Sequence, residues 1–157
     1  MPFFIQEFNF TNVSLKYPFF GLPRPDNFKV GKGCEDAVSR GGGLAATIFI
    51  KNGKLHVGTE PGELEELCEI TNAEKVSRRD FAGVLTRGGW GGTTVAGTVM
   101  AASMAKIPIM ATGGLGGVHR GAESTMDISA DLTEPSFKNI FKILYFYKLH
   151  CCYYSPF

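Results

Sequence analysis

Residues 75–131 read KVSRRDFAGVLTRGGWGGTTVAGTVMAASMAKIPIMATGGLGGVHRGAESTMDISAD, and this stretch decides the fold. Short apolar segments alternate in it with glycine-rich turns. Ile107–Ala111 is predicted to be a buried strand, because it is short and almost wholly apolar. Val95–Ala105, which is rich in small residues, is predicted to be the preceding helix, opened by Thr93 or Thr94. This alternation predicts an α/β domain with a layered α/β/α architecture around a mixed, partly parallel sheet.

The residues upstream extend the same pattern. Ala45–Lys51 (AATIFIK) is predicted to be a buried strand, and Asn52-Gly53 is a strong hairpin signal that returns the chain along Lys54–Val57. The other predicted elements are a helix from Asp26 as cap to about Arg40, a helix capped by Thr59 with Leu64 and Leu67 facing inward, a short strand at Lys75–Ser77 and a short helix at Asp80–Thr86.

Composition limits the classes of function. The chain has 157 residues, 44% of them hydrophobic and 20% charged, with a net charge of +1. Such a balance carries no electrostatic footprint for nucleic acid or for an anionic membrane surface. The four cysteines are not at zinc-ligand spacing, so reduced thiols are expected. The sequence begins without the pattern of a secretory signal, and a cytoplasmic location is therefore expected.

Glycine and aromatic residues divide the chain into three parts. All 20 glycines lie between Gly21 and Gly121, whereas 15 of the 19 aromatic residues lie in residues 1–20 and 136–157. This contrast predicts a central domain at residues 21–135, flanked by two aromatic tails that do not belong to the same packed unit.

Two features before the strand Ile107–Ala111 could bind an anion. The glycine run from Arg87 enters a helix at Thr93 and Thr94, where free N–H groups and hydroxyls suit a phosphate. A tight turn is the alternative, and the run is not a Walker loop because no lysine follows its last glycine. Lys75, at a strand end, could also contact a phosphate, with Arg78 or Arg79 paired to the next aspartate; a solvated rim is the alternative.

The stretch after Ile107–Ala111 holds further polar groups. It lacks the spacing of a dinucleotide fingerprint, so a nicotinamide cofactor is not expected. His119 could transfer a proton or could be a buried, hydrogen-bonded histidine. Asp127 and Asp131 are carboxylates four residues apart, which suits Mg²⁺ or Mn²⁺; a helix start capped by Asp127 or Ser129 is the alternative.

Taken together, the segments KVSRRD, GGTTV and ATGGLGGVHRGAESTMDISADLTE resemble the pseudouridine-5′-phosphate glycosidase family, which includes the indigoidine synthase A-like proteins. The resemblance covers about Gly21–Glu134 and corresponds to the N-terminal part of a family member, so the fold is expected to be incomplete. It implies reversible cleavage of pseudouridine 5′-phosphate to uracil and ribose 5-phosphate, through a lysine imine and a glutamate that moves protons. It also implies Mn²⁺ as cofactor, small-molecule partners without nucleic acid or membrane, and a homotrimer.

The resemblance also assigns residues. It implies that Lys75 contacts the substrate phosphate, that the backbone of Val95 contacts the substrate beside Thr93 and Thr94, and that Asp127 holds the metal. Ser129, Ala130 and Asp131 match the segment that lines the substrate, and His119 lies in the family motif Gly-Gly-Val-His-Arg-Gly as the weakest catalytic candidate.

Three departures from the family pattern put turnover by this chain in question. Ser14 stands at the position of the family's glutamate, and Phe20 stands at that of a histidine. The imine-forming lysine belongs to a Gly-Ala-Lys segment that is not found after Asp131. The sequence therefore predicts a family member that is weakly active or inactive; the alternative is a non-catalytic fragment that binds ligand or associates with an intact homologue.

Overall fold

Strands and helices alternate along the chain, and the described strands form one sheet. The computed structural model describes residues 12–16, 24–112, 124, 142–145 and 153–154. Its strands are β1 (Asn12–Lys16), β2 (Leu44–Lys51), β3 (Lys54–Val57), β4 (Glu74–Val76), β5 (Gly91–Thr93), β6 (Ile109–Thr112), β7 (Lys142–Tyr145) and β8 (Tyr153–Tyr154). Its helices are α1 (Asp26–Arg40), α2 (Glu63–Glu69), α3 (Phe81–Arg87) and α4 (Val95–Met104), and a 3₁₀ turn at Arg78–Asp80 leads into α3.

The sheet is mixed and partly parallel, as the sequence predicts. Its strand order is β4-β5-β2-β1-β6-β7-β8, and β3 also pairs with β2. The pairs β1–β2, β1–β6, β6–β7 and β4–β5 are parallel, whereas β2 pairs with both β3 and β5 in the antiparallel sense. Strands β4 and β5 therefore run opposite to β2, β1 and β6.

The central strand β2 carries the core on both of its faces. Ile48 packs with Val95 and Val99 of α4, whereas its neighbour Phe49 packs with Leu64 and other apolar residues of α1 and α2. Successive strand residues point to opposite faces, so helices cover both sides of the sheet. The layered α/β/α architecture is thus confirmed. Full burial of each such side chain contributes about 1.5–3 kcal/mol.

The hairpin after β2 follows directly from its two turn residues. Asn52 and Gly53 have positive φ values of 51° and 70°, as a two-residue turn between paired strands requires. The turn sets Lys51 opposite Lys54. A Cβ at residue 53 would lie 2.5 Å from the carbonyl oxygen of Leu85, so this corner of the hairpin admits only glycine.

Segments near both ends of the chain contribute strands to the sheet. β1 lies between β2 and β6, with residue 14 opposite residues 46 and 110. β7 adds to β6, and β8 adds to β7. Tyr145, Tyr153 and Tyr154 lie in β7 and β8, in keeping with the preference of aromatic residues for strands.

Two helix starts differ from the predicted ones. Asp26 is the first residue of α1 and not its cap, which is Pro25. Helix α2 begins at Glu63, after Gly62 in the left-handed region, and Thr59 does not cap it. The Thr59 hydroxyl instead donates to Glu35 Oε1 at 3.0 Å. Its partner is therefore a residue of α1, not the start of α2 that the local sequence predicts.

The predicted glycine loop before α4 is partly a strand. Gly91 and Gly92 lie in β5, buried between β4 and β2. A Cβ on Gly91 would lie 2.5 Å from Val76 Cγ2 and 3.5 Å from Ile50 Cβ. This glycine therefore allows a strand to pass close to two core side chains, and its N–H lies within the sheet instead of in an open loop.

Candidate functional site

The ends of β4 and β5 bring four of the predicted site residues together. The two strands are parallel, with Lys75 opposite Gly92 and Val76 opposite Thr93. The backbone N–H of Thr94 then donates to the carbonyl oxygen of Val76 at 2.9 Å. Helix α4 begins at the next residue, so the strand that carries Lys75 is bonded directly to the start of this helix.

Lys75 lies on an edge strand and is exposed, whereas Val76 is fully buried among residues of α3 and β2. Because residues alternate along a strand, Lys75 projects from the face of the sheet opposite α3 and α4. It forms no ion pair with any described residue. A ligand contacted by both Lys75 and the first turn of α4 would therefore lie at the sheet edge that β4 forms.

The turn after β4 is fixed by a capping box. The backbone N–H of Ser77 donates to Asp80 Oδ2 at 2.9 Å, and the Ser77 side chain accepts from the backbone of residue 80. Arg79 Nε lies 3.7 Å from Asp80 Oδ1, so the predicted pairing involves Arg79, with its side chain 90% exposed. An exposed pair at this distance contributes little. The carboxylate of Asp80 serves mainly to hold the turn beside Lys75.

Thr94 caps α4, as predicted. Its Oγ1 accepts a hydrogen bond from the backbone N–H of Gly97 at 3.3 Å, and Val95 is the first helical residue. Val95 is 1% exposed, and its side chain packs in the core with Ile48. Any contact of Val95 with a ligand would therefore use its backbone, at the positive end of the helix dipole.

The hydroxyl of Thr93 is engaged inside the protein. Its Oγ1 lies 3.2 Å from the carbonyl oxygen of Ile48 and 2.7 Å from the Oγ1 of Thr98. Thr98 Oγ1 in turn lies 2.9 Å from the carbonyl oxygen of Thr94. Substrate binding by Thr93 and Thr94 stays a prediction, but both hydroxyls already have partners within the fold. Sequence reasoning missed Thr98, whose four-residue spacing from Thr94 was the available signal.

Gly97 allows α4 to lie against the end of β4. A Cβ at this position would lie 2.7 Å from the carbonyl oxygen of Val76, 3.1 Å from the Phe81 ring and 3.3 Å from Thr93 Cβ. The small residue therefore brings the first helical turn into contact with the strand that carries Lys75. This position also was not predicted.

The remaining predicted site residues lie outside the described residues; they are His119, Asp127, Ser129, Ala130 and Asp131. The chain leaves the described region at Thr112, the last residue of β6.

Residue 14, where the resemblance places the family's glutamate, lies at the centre of the sheet. Residue 14, a serine here, belongs to β1 and pairs with Ala46 on one side and Met110 on the other. Val95, which follows β5, packs in the same cluster as these two neighbours. Residue 14 is thus placed close to the start of α4, and Phe20 lies outside the described residues.

A second polar cluster lies at the hairpin end of the sheet. The ammonium of Lys51 lies 3.2 Å from Glu63 Oε1 and 2.5 Å from Glu66 Oε2, and 5.3 Å from the centre of the Trp90 ring. Burial alone would raise the pKa of Glu63, but the Glu60 amide and the Lys51 ammonium together hold that pKa below its ordinary value. The hydrogen bond to Glu66 raises the pKa of Lys51.

His56 borders this cluster and stacks on Phe49, with ring centres 4.8 Å apart. Its Nδ1 lies 3.8 Å from Glu63 Oε1. Burial lowers the pKa of the His56 imidazole, and this outweighs the attraction of the Glu63 carboxylate. In the described part of the chain, no three His, Cys, Asp or Glu side chains are grouped so that they could hold a metal ion. Cys34 and Cys68 form no disulfide.

The family model described as indigoidine synthase A-like protein matches residues 19–144, most of the chain. The chain belongs to this family. A pseudouridine-5′-phosphate glycosidase from Mycoplasmopsis agalactiae is 48% identical over 120 residues, which are 76% of this chain and 40% of that enzyme. The one from Sorangium cellulosum is 53% identical over 117 residues, 74% of this chain and 37% of the relative. The chain thus spans about 40% of the length of the curated relatives it matches.

Two solved structures share the fold. The prealnumycin C-glycosynthase AlnA, crystallised with ribulose 5-phosphate, aligns with a TM-score of 0.69 at 39% identity, over 79% of this chain and 40% of AlnA. An indigoidine synthase A-like protein from Thermotoga maritima aligns with a TM-score of 0.69 at 34% identity, over 80% of this chain and 42% of that one. Among the described helices, none has the length and apolar character needed to cross a membrane.

Proposed function

We propose that this chain carries the sugar-phosphate-binding part of a pseudouridine-5′-phosphate glycosidase, which reversibly cleaves the C–C glycosidic bond to give uracil and ribose 5-phosphate. The observation that carries the proposal is the identity of about half the residues, over three quarters of the chain, with enzymes of that name. The sugar phosphate bound in the similar AlnA adds support for the class of ligand. These enzymatic relatives favour a glycosidase over a fragment that only binds or assembles.

The described residues suit the phosphate end of such a ligand. Lys75 offers an exposed ammonium at the sheet edge, and it is not neutralised by any described carboxylate. The start of α4 offers the positive end of a helix within the same bonded junction. In the proposed site Lys75 binds the phosphate, Val95 contacts the sugar through its backbone, and Thr93 and Thr94 lie beside it. Ser129, Ala130 and Asp131 would complete the lining, with His119 as a further polar group.

A divalent cation, Mn²⁺ by resemblance, is proposed at Asp127. A carboxylate oxygen is a suitable ligand for such an ion, which polarises oxygen atoms of a bound sugar. The described residues add no grouped set of ligands. Asp127 is therefore the one residue proposed to hold the ion.

Turnover by these 157 residues is proposed to be weak or absent. Breaking a C–C bond needs a group that accepts electrons, which the family supplies as a lysine imine, and a carboxylate that moves protons. Ser14 cannot take the part of that carboxylate at neutral pH, and the sequence contains no Gly-Ala-Lys segment. Loss of an essential nucleophile usually costs many orders of magnitude in rate.

Binding and turnover should be measured separately. Isothermal titration with ribose 5-phosphate and MnCl₂ tests binding, and Lys75→Ala should weaken it by about tenfold or more, since a hydrogen bond to a charged group contributes about 1.5–3 kcal/mol. Lys54→Ala is the matched control, because Lys54 is exposed on the hairpin, away from β4. Equal binding by Lys75→Ala and wild type would refute the proposed phosphate contact.

Chromatographic detection of uracil released from pseudouridine 5′-phosphate tests turnover. We expect little or no release above the rate without protein. Release at the rate of an ordinary enzyme would refute the proposed inactivity while leaving the family's reaction in place. The homotrimer implied by the resemblance is a separate prediction, which sedimentation equilibrium would check.

A further inference from the structure

The junction between β5 and α4 contains a buried pair of hydroxyls that the sequence did not single out. Thr98 is 0% exposed and Thr93 is 2% exposed. Their Oγ1 atoms lie 2.7 Å apart, the usual separation for a hydrogen bond between hydroxyls. Each has a second partner, the carbonyl oxygen of Ile48 for Thr93 and that of Thr94 for Thr98.

These three contacts share two hydrogen atoms. If both hydroxyls donated to their carbonyl partners, the two oxygens would face each other at 2.7 Å with no hydrogen between them, which is repulsive. One hydroxyl must therefore donate to the other. The hydrogens then run in one direction, either from Thr98 through Thr93 to Ile48 or from Thr93 through Thr98 to Thr94. Both arrangements tie α4 to β5, and the first ties them to β2 as well.

The pair is one part of a closely packed, hydrogen-bonded junction. The backbone N–H of Thr94 is bonded to Val76, and the backbone N–H of Thr98 is bonded to the carbonyl oxygen of Thr94 at 2.8 Å. Gly97 brings the helix close enough that a Cβ would lie 2.7 Å from the carbonyl oxygen of Val76. The first turn of α4 thus has a fixed position relative to the strand that carries Lys75.

We infer that Thr98, acting with Thr93, is a positioning residue that holds the first turn of α4 against β4, so that the backbone of Val95 and the strand that carries Lys75 keep fixed relative positions for binding a sugar phosphate. Thr98 does not touch the ligand. The part about the ligand rests on the proposed function, whereas the hold on the junction can be measured without any ligand. Positioning of this kind matters because small displacements of binding groups cost affinity and rate out of proportion to their size.

Three variants separate positioning from general stability. Thr98→Val replaces the hydroxyl with a methyl group, and Thr98→Ser retains the hydroxyl. Thr47→Val is the matched control, because Thr47 is also buried, at 1% exposed, and also uses its hydroxyl, which donates to Glu35 Oε1 at 2.5 Å. Thr47 contacts α1 and not the start of α4.

The first measurement is hydrogen exchange of backbone amides without ligand. Thr98→Val should speed exchange at the amides of residues 94–98 by about tenfold relative to the rest of the sheet, and Thr98→Ser should restore protection. Tenfold corresponds to about 1.4 kcal/mol. Thr47→Val should leave that segment unchanged relative to its surroundings. Equal, uniform changes in Thr98→Val and Thr47→Val would overturn the positioning role.

The second measurement is titration with ribose 5-phosphate and MnCl₂ well below the unfolding temperature. Thr98→Val should bind about tenfold more weakly than wild type, or ~1.4 kcal/mol, whereas Thr98→Ser and Thr47→Val should bind as wild type does. Unchanged binding by Thr98→Val would overturn the link to the ligand. A wild type that binds no sugar phosphate would refute the proposed function and that link together, and exchange alone would then decide whether Thr98 holds the junction.

Discussion

Gly97→Ala should destabilise the protein, although alanine is the better helix former. Gly97 lies in the first turn of α4, where a Cβ would lie 2.7 Å from the backbone oxygen of Val76. The Phe81 ring at 3.1 Å and Thr93 Cβ at 3.3 Å close off the other directions. Because the nearest atom is backbone, the helix or the strand must move to admit the methyl group.

The size of the effect follows from two opposing contributions. Alanine in place of glycine stabilises a helix interior by about 1 kcal/mol. Forcing an extra carbon into a closely packed site costs about 1–3 kcal/mol. The net change for Gly97→Ala is therefore a loss of about 0–2 kcal/mol. Gly33→Ala in α1 is the matched control, because no heavy atom lies within 4 Å of its Cβ, and it should gain about 1 kcal/mol.

Urea unfolding measures both variants against wild type. Circular dichroism follows the helices, and the fluorescence of Trp90, the only tryptophan in the sequence, follows the sheet end beside Lys51. The unfolding midpoints should move in opposite directions at an unchanged m-value. Their separation multiplied by the m-value gives the energy of the clash. If Gly97→Ala is stabilised as much as Gly33→Ala, the close packing of α4 on β4 is wrong, and the fixed junction argued above fails with it.

Two further predictions concern the cluster at the hairpin. Burial lowers the pKa of His56, so the unfolded chain binds more protons, and wild type should lose stability as the pH falls from about 7.5 through the imidazole range near 6.5. His56→Phe should flatten this dependence in urea melts at pH 7.5 and 5.5. An equal change in stability with pH in both proteins would contradict the prediction. Glu63→Gln should lower the free energy of unfolding by about 1–3 kcal/mol, because it removes the charge from a carboxylate that is 9% exposed and bonded to Lys51. Glu66→Gln, at a side chain 48% exposed, should lower it by less than about 0.5 kcal/mol. The same melts measure both variants, and equal losses of stability would contradict a stronger contribution from the buried pair.

Local chemistry was enough to predict much of the fold. The apolar run of β2 and the Asn52-Gly53 turn define a hairpin with no help from the rest of the chain, and the structure confirms both. The start of α2 was predicted wrongly because the Thr59 hydroxyl bonds Glu35, which is 24 residues away. A partner at that separation is invisible to a rule that examines neighbouring residues.

The predicted site depended on register that the sequence could not supply. The resemblance named Lys75 and Val95, but only the pairing of β4 with β5 and the bond from Thr94 to Val76 bring them to one junction. The segment Gly91–Thr93 has no strand pattern, since two of its three residues are glycines. It is a strand because β4 and β2 approach it closely from either side.

The glycines and threonines around β5 therefore have two explanations that support one another. A glycine-rich entry to a helix suggests a phosphate site, yet Gly91 and Gly97 are glycines because Val76 lies against both of them. The threonine hydroxyls suggest donors to a ligand, yet Thr93 and Thr98 bond each other. A ligand that is bound through backbone groups needs a backbone that does not move, and close packing with paired hydroxyls provides one. The segment would thus contribute to binding through its rigidity, with Lys75 supplying the charge.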